Sequence, residues 1–154
     1  MDLGEILGKD TIVLDLEAGS KKQLLQVLSE RAAEETDLSA REIFDTLLQR
    51  EKLGSTGVGK GIAIPHGKFN NFDKIVGLFA RLETPIDFDA LDDAPVDIVF
   101  LLLAPESAGA DHLKALSRIA RVLRDDERLA ALREASTQGG IYELLLSDEN
   151  ASAS

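Results

Sequence analysis

Residues 11–16, TIVLDL, alternate and start with β-branched side chains, which predicts a strand. Ser20 followed by Gln23 forms a capping box, so a helix should run from there to about Glu35. Leu24, Leu25, Val27, Leu28 and Ala32 cluster on one of its faces. Ser39 and Glu42 repeat the signature for a second helix carrying Ile43, Phe44, Leu47 and Leu48, with Gly54 placed as its C′ stop. Residues 54–61, GSTGVGKG, read as a loop, and 61–65, GIAIP, as a short extended piece in which Pro65 biases Ile64 towards the β region.

The second half is as well patterned. Residues 76–82 form another strand, and 83–95 are turn-rich with a short extended piece at Ile86–Phe88. Residues 96–104, VDIVFLLLA, lose all polar alternation after Asp97, as expected of a sheet centre buried on both faces. A helix should run from Asp111 to about Arg124 with Leu113, Leu116, Ala120 and Leu123 as its apolar stripe. Shorter helices follow at 126–135 and between Thr137 and Leu146. The end of the chain, SDENASAS, is small and polar, and 148–154 are expected to be disordered. Helices and strands alternate without repeat or linker, which predicts one α/β domain over 1–147 with a sheet between two helical layers.

The 154 residues, 44% apolar and 29% charged, suit one globular domain. With no cysteine, disulfides, thiol catalysis and thiolate zinc sites are excluded. The N-terminus lacks the basic and apolar regions of a signal peptide. The longest apolar run, 98–104, is far short of the roughly 20 residues a membrane helix needs. A cytoplasmic protein fits best. The net charge of −11 argues against nucleic acid and anionic lipid as partners. Residues 50–68 depart from it: Arg50, Lys52, Lys60 and Lys68 stand against Glu51 alone, which suggests a small-anion site or a solvated basic face.

Residues 54–60 fit G-x-x-x-x-G-K, but Gly61 stands where a nucleotide-binding P-loop needs Ser or Thr for magnesium. The loop also leaves a helix and enters an extended segment, the reverse of the P-loop order. What survives is weaker: glycines let backbone N–H groups approach an anion.

The chain has two histidines. A lone histidine is ordinarily a packed side chain satisfied by backbone. His66, however, emerges after an extended apolar piece, where α/β folds place ligands, between Pro65 and Gly67 and among basic residues. His112 falls in the first turn of a predicted helix, near free backbone N–H groups and the positive helix end. No G-x-S-x-G elbow supports a serine hydrolase. A metal site would need carboxylates, of which Asp111 is a candidate, yet the charge around His66 is positive. A nucleophilic histidine that carries an anion fits that charge better, because phosphoryl transfer relies on positioning and charge stabilisation.

The stretch from Glu51 to Gly67, EKLGSTGVGKGIAIPHG, resembles the phosphorylation-site motif of the fructose/mannitol-type IIA proteins of the bacterial phosphotransferase system. Glu51, Val58, Gly59, Ile62, Ala63, Ile64, Pro65, His66 and Gly67 satisfy every fixed position. The likeness runs over about residues 3–147 and is nearest to the nitrogen-regulatory branch, above all in REKLGSTGVGKGIAIPHGK and ETPIDFDALDDAPVD.

The resemblance implies a mixed sheet of about five strands between helices. It implies that His66 is the phosphorylated nucleophile, modified on Nε2, that His112 helps to bind the phosphoryl group and that Arg50 adjoins the site. Ser55, Thr56 and Gly67 would belong to the phosphate-binding surroundings, Gly67 leaving room for the donor protein. The donor would be an HPr-like carrier (NPr) charged by a dedicated Enzyme I. Targets such as sensor kinases or stringent-response enzymes would read the phosphorylation state. No cofactor and no metal is required. Two other readings stay open: a sugar-specific IIA that passes phosphate to a IIB domain, and an interaction module without transfer activity. The sequence holds no segment resembling IIB, IIC or HPr, which favours regulation.

Overall fold

The structure is a computed structural model that describes residues 3–70 and 72–147. The tail expected over 148–154 lies outside the described residues. Two short 3₁₀ turns lead into β1 (Ile12–Leu16), α1 (Lys21–Glu34) and α2 (Ala40–Lys52). Then come β2 (Gly57–Gly59), β3 (Ile62–Ala63), β4 (His66–Phe69), β5 (Val76–Ile86) and β6 (Val96–Pro105). The chain closes with α3 (Ala110–Arg124), α4 (Asp126–Glu134) and α5 (Gln138–Leu146).

Local chemistry sets the helix starts. The Ser20 hydroxyl accepts from Gln23 N–H and the Ser39 hydroxyl from Glu42 N–H. Gln23 Oε1 in turn accepts from Gly19 N–H at 2.6 Å, so the box closes one residue earlier than its usual form. Thr137 caps α5 through Gly140 N–H. Leu53 closes α2, and Gly54 takes φ 152, a value open to glycine but outside the left-handed helical well.

One mixed sheet results, in the order β1-β5-β6-β3-β2, with β4 also on β6. β6 is antiparallel to β5 and parallel to β3 and β4. It is the sheet centre, and its side chains divide between two cores. Val99, Leu101 and Leu103 pack against Leu24, Leu25, Leu28, Ile43 and Leu47 of α1 and α2. Ile98, Phe100 and Leu102 pack against Ala115, Ile119, Val122, Ile141 and Leu145 of α3 and α5. A fully buried Leu or Ile contributes about 1.5–3 kcal/mol relative to exposure, so a strand buried on both faces organises the three layers.

Among the described residues six strands form where about five were expected. β2 lies inside the glycine-rich stretch read as a loop: the chain turns at Lys60 and Gly61, both at positive φ, and β2 runs antiparallel to β3 as a tight hairpin. β5 continues through Glu83, Thr84 and Pro85, because pairing with β6 resumes at Ile86 opposite Val96 and overrides their turn propensity. The apolar stripe of α3 is also shifted by one position. Its buried residues are His112, Ala115, Ile119, Val122 and Leu123, whereas Leu113 is 66% exposed.

β3 and β4 are one line of chain. Ile62 pairs with Ile98, Ala63 with Val99 and His66 with Leu102, so the register on β6 never slips across Ile64 and Pro65. Pro65 has no N–H to give, but its carbonyl accepts from Leu102 N–H at 3.0 Å. His66 therefore opens β4 rather than standing free beyond a strand end. It sits just past the reach of β2, which covers only β3, so β4 is an edge there.

Candidate active site

His66 shares its side of the sheet with Ile62 and Ile64, the side covered by α3. α3 brings His112 to it: the two imidazole centroids are 5.6 Å apart, with planes tilted by 56°. α2, from the other layer, reaches over the sheet edge with Arg50. Arg50 Nε donates to His66 Nε2 at 3.3 Å, and Arg50 Nη1 donates to the Gly54 carbonyl at 2.9 Å.

These contacts fix the tautomer of His66. Its Nδ1 lies 2.8 Å from the carbonyl oxygen of Ile64, which only accepts, so Nδ1 carries the proton. Nε2 is left with a lone pair, in agreement with its accepting from Arg50. Burial pushes the His66 pKa below its ordinary value; the Ile64 bond works against that shift, Arg50 adds to it, and Glu51 opposes it. The ring is thus held as neutral imidazole with an available nucleophilic nitrogen.

His112 is only 4% exposed and its Nδ1 is buried without a hydrogen-bond partner. That leaves Nε2 as the ring nitrogen available to a ligand. Burial lowers its pKa first, then the neighbouring His66 and Lys68. Gly109, the N-cap of α3, gives no side-chain capping bond, so the first-turn N–H groups of the helix beside His112 keep their capacity to donate.

A cavity of about 490 Å³ opens between these elements, lined by Thr46, Gln49, Arg50, Leu53, His66, Gly67, Lys68, His112, Leu113 and Leu116. Its floor holds two histidines and a guanidinium, and its rim holds two exposed leucines, Leu53 at 85% and Leu113 at 66%. A larger cleft of about 620 Å³ lies between the β1–α1 connection and β5. It contains carboxylates such as Glu17 and Glu83 and no histidine, so it offers no comparable nucleophile.

His66, His112, Arg50 and Gly67 come together in the first cavity. Ser55 and Thr56 do not line it. The Ser55 hydroxyl donates to the Phe88 carbonyl and accepts from Gly57 N–H. Thr56 is buried, and its hydroxyl donates to Glu51 Oε2 in a short hydrogen bond. Gly67 has a packing reason: a Cβ there would lie 2.8 Å from Thr46 Cγ2, so the missing side chain lets β4 approach α2. Of the four basic residues in 50–68, only Arg50 and Lys68 line the cavity. Lys60 turns away to pair with Asp126 at 2.8 Å. Among the described residues no cluster of three or more acidic or histidine side chains is arranged to hold a metal ion.

Sequence reasoning missed Thr46, Gln49 and Leu53. A signal existed: Thr46, Gln49, Arg50 and Leu53 stand at i, i+3, i+4 and i+7, one stripe of α2 next to the buried Ile43 and Leu47.

The family model for the phosphoenolpyruvate-dependent sugar phosphotransferase system, EIIA 2, matches residues 5–148. A nitrogen regulatory protein of Bradyrhizobium diazoefficiens is 54% identical over 145 residues, covering 94% of this chain and 95% of its own. A nitrogen regulatory protein of Escherichia coli is 40% identical over 150 residues, covering 97% of this chain and 92% of its own. The crystal structure of nitrogen regulatory protein IIA-Ntr from Neisseria meningitidis superposes with a TM-score of 0.90 at 40% identity, over 93% of this chain and 98% of that one. The chain belongs to the EIIA type 2 family of the phosphoenolpyruvate-dependent phosphotransferase system, in company with nitrogen regulatory IIA proteins.

Proposed function

We propose that the protein is a phosphohistidine carrier of the nitrogen-related phosphotransferase branch, a cytoplasmic protein that takes a phosphoryl group on Nε2 of His66 from an HPr-like carrier (NPr) charged by its own Enzyme I. Its phosphorylation state would then regulate target proteins. The observation that carries this reading is the pair of bonds on His66: Ile64 holds the proton on Nδ1, and the Nε2 lone pair faces the Arg50 guanidinium, which lines the cavity.

In the transfer, the Nε2 lone pair attacks phosphorus of the donor phosphohistidine. The donor P–N bond breaks and its electron pair returns to the donor ring nitrogen. His66 becomes an imidazolium bearing a dianionic phosphoryl group, its Nδ1–H still bonded to Ile64. Arg50 must leave Nε2 for this to happen, and its guanidinium then faces the phosphoryl oxygens. A neutral His112 with its proton on Nε2 donates from the α3 side. Lys68 adds positive charge at the rim, whereas no role in phosphate binding follows for the hydroxyls of Ser55 and Thr56. Leu53 and Leu113 offer the apolar contact on which a donor protein seats.

Phosphorylation places about −1.5 to −2 charges in a pocket built around Arg50, a large change for any target that docks on this rim. The nitrogen branch is favoured over sugar delivery by the regulatory proteins among the relatives. The discriminating experiment compares phosphoryl transfer from NPr and from a sugar-system HPr, with a IIB domain as a further acceptor. Efficient transfer from NPr with little onward transfer supports the reading; rapid delivery to IIB replaces it with a sugar-specific IIA.

A further inference from the structure

Glu51 lies outside the cavity and touches neither histidine, yet it is 8% exposed and fully engaged. Oε1 accepts from Lys21 Nζ and from Thr56 N–H, each at 3.0 Å. Oε2 accepts from the Thr56 hydroxyl. A buried carboxylate is costly unless such donors surround it, and a buried pair contributes little net stability, so its presence calls for another reason.

Following the bonds onward supplies one. The Thr56 carbonyl accepts from Ile64 N–H at 3.0 Å, and the Ile64 carbonyl accepts from His66 Nδ1–H at 2.8 Å. On the other side, Gly54 N–H donates to the Glu51 carbonyl at 3.1 Å, and the Gly54 carbonyl accepts from Arg50 Nη1. Arg50 Nε closes the circuit on His66 Nε2. Both nitrogens of the imidazole are therefore addressed by groups hung from one five-residue turn, 52–56, and Glu51 pins that turn to α1 through Lys21. Pro65 stiffens the short segment between Ile64 and His66.

We propose that Glu51, with Lys21 and Thr56, is the positioning residue of this site: it fixes the turn from which the Ile64 and Gly54 carbonyls hold His66 and Arg50 in register. It acts through these groups and does not touch the phosphoryl group. Its negative charge also favours protonated His66, the form the ring takes once Nε2 is phosphorylated. Positioning effects of this kind are large, since a displacement of about 1 Å costs on the order of a hundredfold in rate.

The test compares Glu51→Ala and Glu51→Gln in the full-length protein. The first readout is the His66 tautomer in the unphosphorylated protein, from two-bond ¹H–¹⁵N correlations of the ring; it needs no donor. The second is the rate of phosphorylation by the HPr-like carrier, which rests on the phosphocarrier reading above. Glu51→Ala is expected to convert a single Nδ1–H tautomer into a mixture and to slow phosphorylation about tenfold to a hundredfold. Glu51→Gln keeps an acceptor for Thr56 N–H and is expected to restore the tautomer and most of the rate. If Glu51→Ala fails to fold, Thr56→Val replaces it, removing only the hydroxyl on Oε2; a detectable tautomer shift is then expected. An unchanged tautomer in a folded Glu51→Ala or Thr56→Val protein overturns the proposal, whatever the rates. A wild type that takes no phosphoryl group overturns the phosphocarrier reading and leaves the tautomer comparison to decide this one.

Discussion

Arg50 Nε and His66 Nε2 stand 3.3 Å apart, so the cation that should stabilise a phosphoryl group rests on the atom that must receive it. This contact screens the lone pair and orients the guanidinium at once. Arg50→Met should slow phosphorylation about a hundredfold to a thousandfold, as removal of a preorganised donor does elsewhere. It should also raise the His66 pKa, because the Arg50 charge helps to depress it. Arg50→Lys keeps the charge but not the two-pronged planar contact, and should fall between. Stopped-flow transfer rates and an NMR titration of His66 check both effects.

Both histidines titrate below their ordinary 6.5, chiefly through burial. In that case the unfolded chain binds protons more readily than the folded one as pH falls past 6.5. Stability contributed by the neutral rings is fully present above that value and is lost as pH falls through the lowered folded-state pKa. Urea denaturation between pH 5 and 7.5 should therefore show declining stability on acidification, and the decline should shrink in His112→Asn. The acceptor rate should fall with acidification at a lower pH than an ordinary imidazole would show, since the His66 pKa is lowered.

The close approach of Gly67 to Thr46 makes a packing prediction independent of chemistry. Gly67→Ala sets a Cβ 2.8 Å from Thr46 Cγ2 and should cost about 1–3 kcal/mol. Thr46→Ser removes that methyl group. The double variant should recover most of the loss, and a double-mutant cycle in thermal unfolding measures the coupling.

These relationships were legible to different degrees. Ser20, Ser39 and Thr137 could be read as helix starts because a cap involves only a few neighbouring residues. β6 could be read because the eight apolar or small positions from Ile98 to Pro105 admit no solvent-facing side. β2 could not, since Gly57, Val58 and Gly59 form a strand only by meeting β3. The α3 stripe was misplaced because burial of His112 and exposure of Leu113 invert their hydrophobic ranking, an inversion that marks the site itself. That His66, His112 and Arg50 converge on one cavity was legible through the motif and family likeness. The roles of Gly67 and Thr56 were not, because their contacts with Thr46 and Glu51 depend on the packing of α2 against the edge of the sheet.

Leu53 and Leu113 are exposed and make little of the core, so alanine at either should change stability by no more than about 0.5 kcal/mol. Both flank the cavity. If they seat the donor protein, Leu53→Ala/Leu113→Ala should lower kcat/KM for the HPr-like carrier about tenfold while leaving the rate at saturating carrier near the wild-type value. Steady-state transfer at varied carrier concentration separates the two quantities. An equal loss at saturation would place these residues in the chemical step instead.

The central claim is that Nε2 of His66 accepts a phosphoryl group. Its most direct test is incubation of the wild type and His66→Ala with phosphoenolpyruvate, Enzyme I and the HPr-like carrier, followed by intact-protein mass and by ring ¹⁵N NMR of the product. The structure predicts one added phosphoryl group in the wild type alone, bonded to Nε2 with the proton retained on Nδ1. Labelling that survives in His66→Ala, or a phosphoryl group on Nδ1, would contradict it.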